Sequence, residues 1–193
     1  MKVFILGFPK SGKTTIAKHI STLDGFSYID ASSWIKLTFR SIFPNEKDES
    51  YYEEYHHFLT ARTKAAPLFC VNNVLDIISA TDKSNFIIDG LFSPKDLVHL
   101  FDVNKDVIVF LNRTDNDESF KDSDNIAVSV MRDYCYWLSS AGLLEKKRWI
   151  EYNFKIPGEK SDTIKELGSK NTVFIARSID KVMDHLKELI KKV

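Results

Sequence analysis

The sequence predicts an α/β domain of three layers, with a five-stranded parallel sheet between helices on both faces. Most of its short β-type runs are almost continuously apolar, as strands covered on both faces are. Helix-compatible sequence separates each run from the next, and this alternation produces parallel strands joined by helical crossovers. The predicted strands are residues 2–6, 26–30, 85–89, 106–111 and 171–176.

The intervals after the second and fourth predicted strands are too long to be simple crossovers. Residues 31–84 contain an aromatic helix around Trp34, a break at Pro44 and two further helical stretches, and residues 112–170 are predicted to be largely helical. Because ligands of open α/β sheets bind beyond the carboxyl ends of the strands, we expect both excursions to fold over that edge. No repeat or flexible linker divides the chain, so residues 1–193 are predicted to form a single domain.

The last predicted element is a helix over residues 179–192. Its apolar residues recur on one face and its lysines occupy the other. This pattern predicts a helix that packs on the sheet, in preference to one that lies on a membrane surface.

The composition narrows the class of partner. Lysine plus arginine and aspartate plus glutamate both number 27, so no overall positive field attracts nucleic acid or an anionic membrane. Cys70 and Cys135 show no metal-ligand spacing, and no apolar run reaches the roughly 20 residues that span a bilayer. The first residues already form a strand, which leaves no room for a signal peptide. We therefore expect a cytoplasmic protein, and the sequence gives no indication of its oligomeric state.

The most specific motif follows the first strand and is called the phosphate loop below. It has the form G-x-x-x-x-G-K-T, in which glycines let the backbone curl around an anion, the lysine reaches the outer phosphates and the threonine hydroxyl can bind Mg²⁺. A helix follows directly, and its N-terminus favours a phosphate. The structural alternative is an ordinary glycine-containing turn between a strand and a helix. The predicted nucleotide site comprises Gly7, Phe8, Pro9, Lys10, Ser11, Gly12, Lys13, Thr14 and Thr15.

Asp89 is the second informative residue. It ends the third apolar strand, so its carboxylate is expected at the sheet edge where the phosphate loop lies. An acid in that position can support Mg²⁺, usually through water, together with Thr14. The structural alternative is an aspartate that caps the following turn.

These segments resemble the nucleoside monophosphate kinase family, of the adenylate kinase type. The similarity covers about half of the chain and comprises the N-terminal GFPKSGKTT, the strand and D-G of residues 86–90, the strand at 107–111, and the closing strand and helix from residue 171. The resemblance implies the three-layer fold of phosphate-loop NTPases. It also implies transfer of the γ-phosphoryl group of ATP, with Mg²⁺, to a small acceptor.

The resemblance also suggests which cations act on the acceptor. Lys36 falls about where the family places an arginine that grips the acceptor phosphate, and Arg40 follows one helical turn later. Arg62, in the aromatic segment 51–62, is a third candidate. The structural alternatives are solvated charges on a helix for Lys36 and Arg40, and core packing for the aromatic residues.

The expected lid, residues 112–150, departs from the family. Arg113 begins it, but five acids follow, at 115, 117, 118, 122 and 124, and like charge repels a triphosphate. A cationic lid would then depend on Arg132 or on the cluster 146–148, which includes Arg148. With Lys13 and Asp89, Arg132 completes the predicted catalytic set.

Two other functions remain open. Related folds phosphorylate other small metabolites, so the acceptor is unassigned. The acidic stretch and the lack of an arginine-rich lid favour a nucleotide-binding regulator, or a degenerate kinase without efficient transfer. The retained Lys13, Thr14 and Asp89 favour an enzyme.

Overall fold

The chain forms a six-stranded sheet in which every neighbouring pair of strands is parallel. The computed structural model describes residues 1–8, 11–23, 25–44, 49–91, 93–113, 123–154, 172–176 and 179–192. The strand order is β2-β3-β1-β4-β5-β6. The strands are β1 (Lys2–Gly7), β2 (Phe26–Asp30), β3 (Asn85–Asp89), β4 (Val107–Arg113), β5 (Trp149–Phe154) and β6 (Thr172–Ala176).

The described helices make this an α/β fold of three layers, as the sequence predicts. Helices α1 and α7 cover one face of the sheet, and α4, α5 and α6 cover the other. The first face buries residues such as Ile5 and Ile87, and the second buries residues such as Phe4 and Phe110. The helices are α1 (Lys13–Ile20), α2 (Ser33–Ile42), α3 (Glu49–Ala65), α4 (Phe69–Ser79), α5 (Pro94–Leu100), α6 (Ser123–Ser140) and α7 (Ile179–Lys192).

The predicted number of strands is wrong by one, because β5 lies within the interval that was expected to be largely helical. Its sequence, WIEYNF, places Glu151 in the middle of a strand with neighbours on both sides. A charged residue in a buried strand conflicts with the apolar pattern of such strands. The five strands that the sequence does predict are all present, with ends shifted by at most two residues.

The excursion over residues 31–84 contains the three helices that the sequence predicts, α2, α3 and α4. Phe39 of α2 is fully buried, and its ring contacts Tyr55 and Phe58 of α3 at centroid distances of 5.4 and 5.5 Å. These aromatic side chains of α3 are therefore packing residues. This agrees with core packing, the structural alternative for the aromatic segment 51–62.

Strand β1 occupies the centre of the sheet, between β3 and β4. After β1 the chain builds β2 and β3 on one side and then crosses to β4, β5 and β6 on the other. The carboxyl end of β1 is the point where these two halves diverge, and open α/β sheets bind ligands at such a point. The phosphate loop leaves β1 there.

Candidate active site

The described part of the phosphate loop is folded back on itself. The Ser11 amide donates a hydrogen bond to the Phe8 carbonyl at 3.2 Å, and the Lys13 ammonium donates to the same carbonyl at 2.8 Å. Helix α1 begins at Lys13 with no side-chain cap and no acidic residue in its first turn. Its first amides therefore have no anionic side chain of that turn to bind, which favours an external anion.

Gly7 brings the loop against the neighbouring strand β4. A Cβ atom at position 7 would lie 2.4 Å from the Leu111 carbonyl oxygen and 2.9 Å from the Ser11 hydroxyl. No side chain fits there, because the first of these neighbours is backbone. The Ser11 hydroxyl is itself buried and has no hydrogen-bond partner among the described residues.

A hydrogen bond joins the phosphate loop to the end of β3. The Thr14 hydroxyl, in the first turn of α1, donates to Oδ2 of Asp89 at 2.8 Å, and the Tyr28 hydroxyl donates to Oδ1 at 2.9 Å. Side chains alternate along strands, so Tyr28 on β2 and Asp89 on β3 both point to the face that α1 covers. The pair Thr14 and Asp89 thus lies together, as the sequence predicts.

The Asp89 carboxyl is almost completely buried, at 2% exposure. Burial raises its pKa, whereas the hydroxyls of Thr14 and Tyr28 lower it; Asp30 raises it and Lys13 lowers it. The pKa of Asp89 is raised overall, so the two hydroxyls and Lys13 only partly offset the cost of burying the charged form that a divalent cation would need.

Asp30 also belongs to this site, although nothing in its local sequence marks it as a site residue. It pairs in register with Asp89 at the end of the neighbouring strand β2. The amide and hydroxyl of Ser32 both donate to its Oδ1 atom, and the Lys36 ammonium lies 3.8 Å from Oδ2. The signal was present in the sequence, because an aspartate ends both predicted strands, but the pairing of β2 with β3 is needed to interpret it.

A cavity of about 290 Å³ is lined in part by residues that follow β2 and β3 in the chain, although neither Asp30 nor Asp89 lines it. Its lining includes Ile35, five residues after Asp30, and Ser93, four residues after Asp89. The floor contains the buried Cys70 and Asp96, and the exposed rim contains Arg62 and Lys64. Such a cavity can admit a small molecule beside the carboxyl ends of β2 and β3.

The predicted acceptor cations have different surroundings. Arg62 lines the cavity, with its guanidinium 4.6 Å from the centre of the Phe69 ring. Lys36 pairs with Asp30, and Arg40 is exposed in the last turn of α2; neither lines this cavity.

Arg132, predicted as a catalytic residue of the lid, forms an ion pair that the sequence does not predict. Its guanidinium lies 2.6 Å from Glu151, which is fully buried on β5, and Tyr136 also donates a hydrogen bond to Glu151. The guanidinium stands 5.6 Å from the centre of the Phe110 ring, whose other contacts include the ring of Phe8. Arg132 is therefore near the loop, but its charge is balanced by Glu151.

The assignment of Arg148 to a lid is corrected by the structure. Arg148 immediately precedes β5, and the register places Trp149 beside Ile108, which pairs with Phe4. Arg148 therefore lies at the amino-terminal edge of the sheet. At roughly 3.3 Å per residue, its level is about 13 Å along the strands from the level of Gly7. The assignment is wrong because no strand was predicted where β5 lies. Without that strand, we expected residues 146–148 in a helical lid over the carboxyl-terminal edge of the sheet.

Several predicted site residues lie outside the described part of the chain. They are Pro9, Lys10 and the acids at 115, 117, 118 and 122. The backbone of Arg113 ends β4 at the same sheet edge as the phosphate loop, but its side chain and that of Asp124 are outside the description.

Comparisons with known proteins give only weak similarities. Neither a family model nor a curated protein matches the chain. A shikimate kinase from Aquifex aeolicus has a TM-score of 0.45 at 16% identity, covering 100% of this chain and 97% of that chain. A shikimate kinase from Acinetobacter baumannii, in complex with shikimate, scores 0.45 at 12% identity, with coverages of 99% and 93%. A sugar kinase from Janibacter sp. scores 0.43 at 12% identity, with coverages of 98% and 94%.

Similarities this low establish neither a family nor a function, so any functional conclusion rests on the residues at the sheet edge. Within the described ranges, no helix is long and apolar enough to cross a membrane.

Proposed function

We propose that this protein binds a magnesium complex of ATP at the phosphate loop and transfers the γ-phosphoryl group to a small acceptor. The observation that carries the proposal is the 2.8 Å hydrogen bond between Thr14 and Asp89. It joins the first turn of the helix after the loop to a buried carboxylate at the end of β3. An ordinary glycine-containing turn between a strand and a helix does not require a hydrogen bond to a buried carboxylate.

The oxygen atoms of Thr14 and Asp89 are suitable for Mg²⁺, which prefers hard oxygen ligands. No group of three or more histidine, cysteine or acidic residues that could hold a metal ion occurs among the described residues. Magnesium would therefore depend on phosphate oxygens of the nucleotide and on water for its other ligands. When bound, it would neutralise charge on the phosphates.

The protein's own residues would then position the reactants. Lys13 and the first amides of α1 would bind phosphate oxygens, and the acceptor would occupy the cavity beside Arg62. Transfer forms a bond from an acceptor oxygen to the γ-phosphorus as the bond to the β–γ bridging oxygen breaks. An acceptor hydroxyl must also lose a proton, either to water or to a carboxylate within hydrogen-bond reach of the cavity.

The test of nucleotide binding is calorimetry with ATP and Mg²⁺. Lys13→Ala removes charge-assisted contacts worth about 1.5–3 kcal/mol, so affinity should fall roughly ten- to more than a hundredfold. Lys18→Ala is the matched control, because Lys18 is exposed on the same helix. Equal affinities of the wild type and the Lys13 variant would contradict the proposal.

The test of transfer is ADP release across a panel of nucleoside monophosphates, sugars and hydroxy acids. One acceptor should accelerate release, and Asp89→Asn should abolish that acceleration while most nucleotide affinity remains. If the variant turns over normally, Asp89 is only a capping residue.

Two observations favour a second function, nucleotide binding without efficient transfer. The charge of Arg132 is balanced by Glu151, and Arg148 lies at the amino-terminal side of the sheet. Neither described lid candidate is then available to neutralise the transferred group without rearrangement. In that case ATP binds as above, and no acceptor in the panel accelerates ADP release.

A further inference from the structure

Tyr28 contacts the proposed metal-supporting carboxylate from a separate strand. It lies in β2 two residues before Asp30, and the register sets it beside Ile87, two residues before Asp89. The ring is half-buried, and its hydroxyl reaches diagonally across the pair of strands to Oδ1 of Asp89. Long side chains can span such a diagonal between neighbouring strands.

The Asp89 carboxylate is held at both oxygens by donors from different elements. Thr14 of α1 donates to one oxygen and Tyr28 of β2 to the other, at 2.8 and 2.9 Å. The terminal torsion of an aspartate is otherwise broad, so two opposed donors fix an angle that the side chain itself does not.

The two donors are not equivalent. The Thr14 hydroxyl is itself a proposed ligand of Mg²⁺, whereas the Tyr28 hydroxyl has no such role. The Tyr28 contact can therefore hold the carboxylate independently of the metal.

We propose that Tyr28 is a positioning residue that orients the Asp89 carboxylate for the magnesium nucleotide. This inference rests on the proposed function, because it concerns the carboxylate assigned there to the metal. Residues that orient metal-supporting groups typically contribute about 10- to 100-fold to metal affinity.

Tyr28→Phe tests the inference, because it removes one hydroxyl and keeps the ring. We would titrate MgCl₂ into protein with the non-hydrolysable imido analogue of ATP and follow binding by calorimetry. The magnesium concentration that gives half of the gain in affinity should rise about 10- to 100-fold. Affinity for the analogue in EDTA should remain unchanged, since no metal is present for Asp89 to support.

Three comparisons separate positioning from packing. Tyr134→Phe is the matched control, because Tyr134 is half-buried on α6 against Trp137 and packs on the opposite face of the sheet from Tyr28. It should leave the magnesium titration unchanged. Tyr28→Leu removes the ring as well; if it alters the titration and Tyr28→Phe does not, packing is the whole role and the inference is overturned. In an Asp89→Asn background, Tyr28→Phe should add no further shift.

The outcomes distinguish this inference from the function on which it rests. If the wild type gains no affinity from magnesium, the proposed function fails and the inference fails with it. If the wild type gains affinity and Tyr28→Phe matches it, only the inference is overturned. An equal shift from Tyr28→Phe with and without Asp89 would also overturn it, because Tyr28 would then act through another group.

Discussion

Gly90 and Asp30 lie so close that a Cβ atom on Gly90 would stand 2.7 Å from the Oδ1 atom of Asp30. The same Cβ would lie 2.9 Å from the Ser32 hydroxyl, which binds that oxygen. Gly90 directly follows Asp89. The two acids at the ends of β2 and β3 are therefore brought together around a residue without a side chain.

Gly90→Ala should both destabilise the fold and weaken binding of the magnesium nucleotide. The backbone of Gly90 has φ +75°, a region that costs an alanine about 1–2 kcal/mol, and the new methyl group must also displace Asp30 or Ser32. Denaturant unfolding and nucleotide calorimetry would measure the two effects.

Gly142→Ala is the matched control for Gly90→Ala. Gly142 has a similar φ of +71°, but a Cβ there would meet no atom within 4 Å. It should show the conformational cost alone, with no change in nucleotide binding. If the two variants lose equal stability and bind nucleotide equally, the close approach of Gly90 to Asp30 contributes neither to stability nor to nucleotide binding.

Local signals in the sequence were sufficient to predict the central strands of the sheet and the phosphate loop. The strands β1 and β3 are apolar runs of ordinary length, and the loop has a fixed spacing of glycine, lysine and threonine. The proximity of Thr14 and Asp89 could be predicted from these strands and the loop, because the carboxyl ends of parallel strands lie at the same edge of the sheet.

The parts that the sequence did not predict depend on partners distant in the chain. Glu151 is tolerated inside β5 because Arg132 and Tyr136, on α6, bind its carboxylate. Tyr28 is one more aromatic residue of a strand until the register sets it beside β3. No local sequence pattern predicts such pairings. Because β5 was not predicted, Arg148 was also assigned to the wrong edge of the sheet.

Arg132→Ala should destabilise the protein strongly, whatever its part in transfer. It leaves the fully buried Glu151 without its cation, and breaking a buried ion pair costs about 3–5 kcal/mol. Adding Glu151→Gln should recover part of that loss, because the uncompensated charge is removed. Denaturant unfolding of the single and double variants provides the measurement.

Lys105→Ala is the surface comparison for Arg132→Ala. Lys105 is exposed and lies 3.7 Å from Asp102, so its loss should cost no more than about 1 kcal/mol. If Arg132→Ala costs no more than Lys105→Ala, the pair with Glu151 does not stabilise the fold.

Cys70 and Cys135 should both resist thiol reagents in the folded protein. Burial raises the pKa of each thiol to about 12, with a contribution from Asp96 at Cys70. The reactive thiolate is then scarce near pH 8, and both side chains are buried. Ellman's reagent should label neither cysteine in native protein and both in guanidinium; rapid labelling of native protein would contradict the burial.

Arg62 and Arg40 should differ in their effect on the acceptor that the ADP-release panel identifies. Arg62 lines the cavity and Arg40 does not, so Arg62→Ala should raise the acceptor KM while Arg40→Ala leaves it unchanged. A lost charge-assisted contact of about 1.5–3 kcal/mol corresponds to a rise of roughly ten- to more than a hundredfold.

Arg62→Lys sharpens this comparison, because lysine keeps the charge but lacks the planar fork that stacks on Phe69 and binds an anion with two hydrogen bonds. Its KM should fall between those of the wild type and Arg62→Ala, with kcat almost unchanged if Arg62 contributes equally to binding of the ground state and the transition state. If Arg40→Ala raises KM and Arg62→Ala does not, the acceptor binds along α2, and the cavity beside Arg62 is not its site.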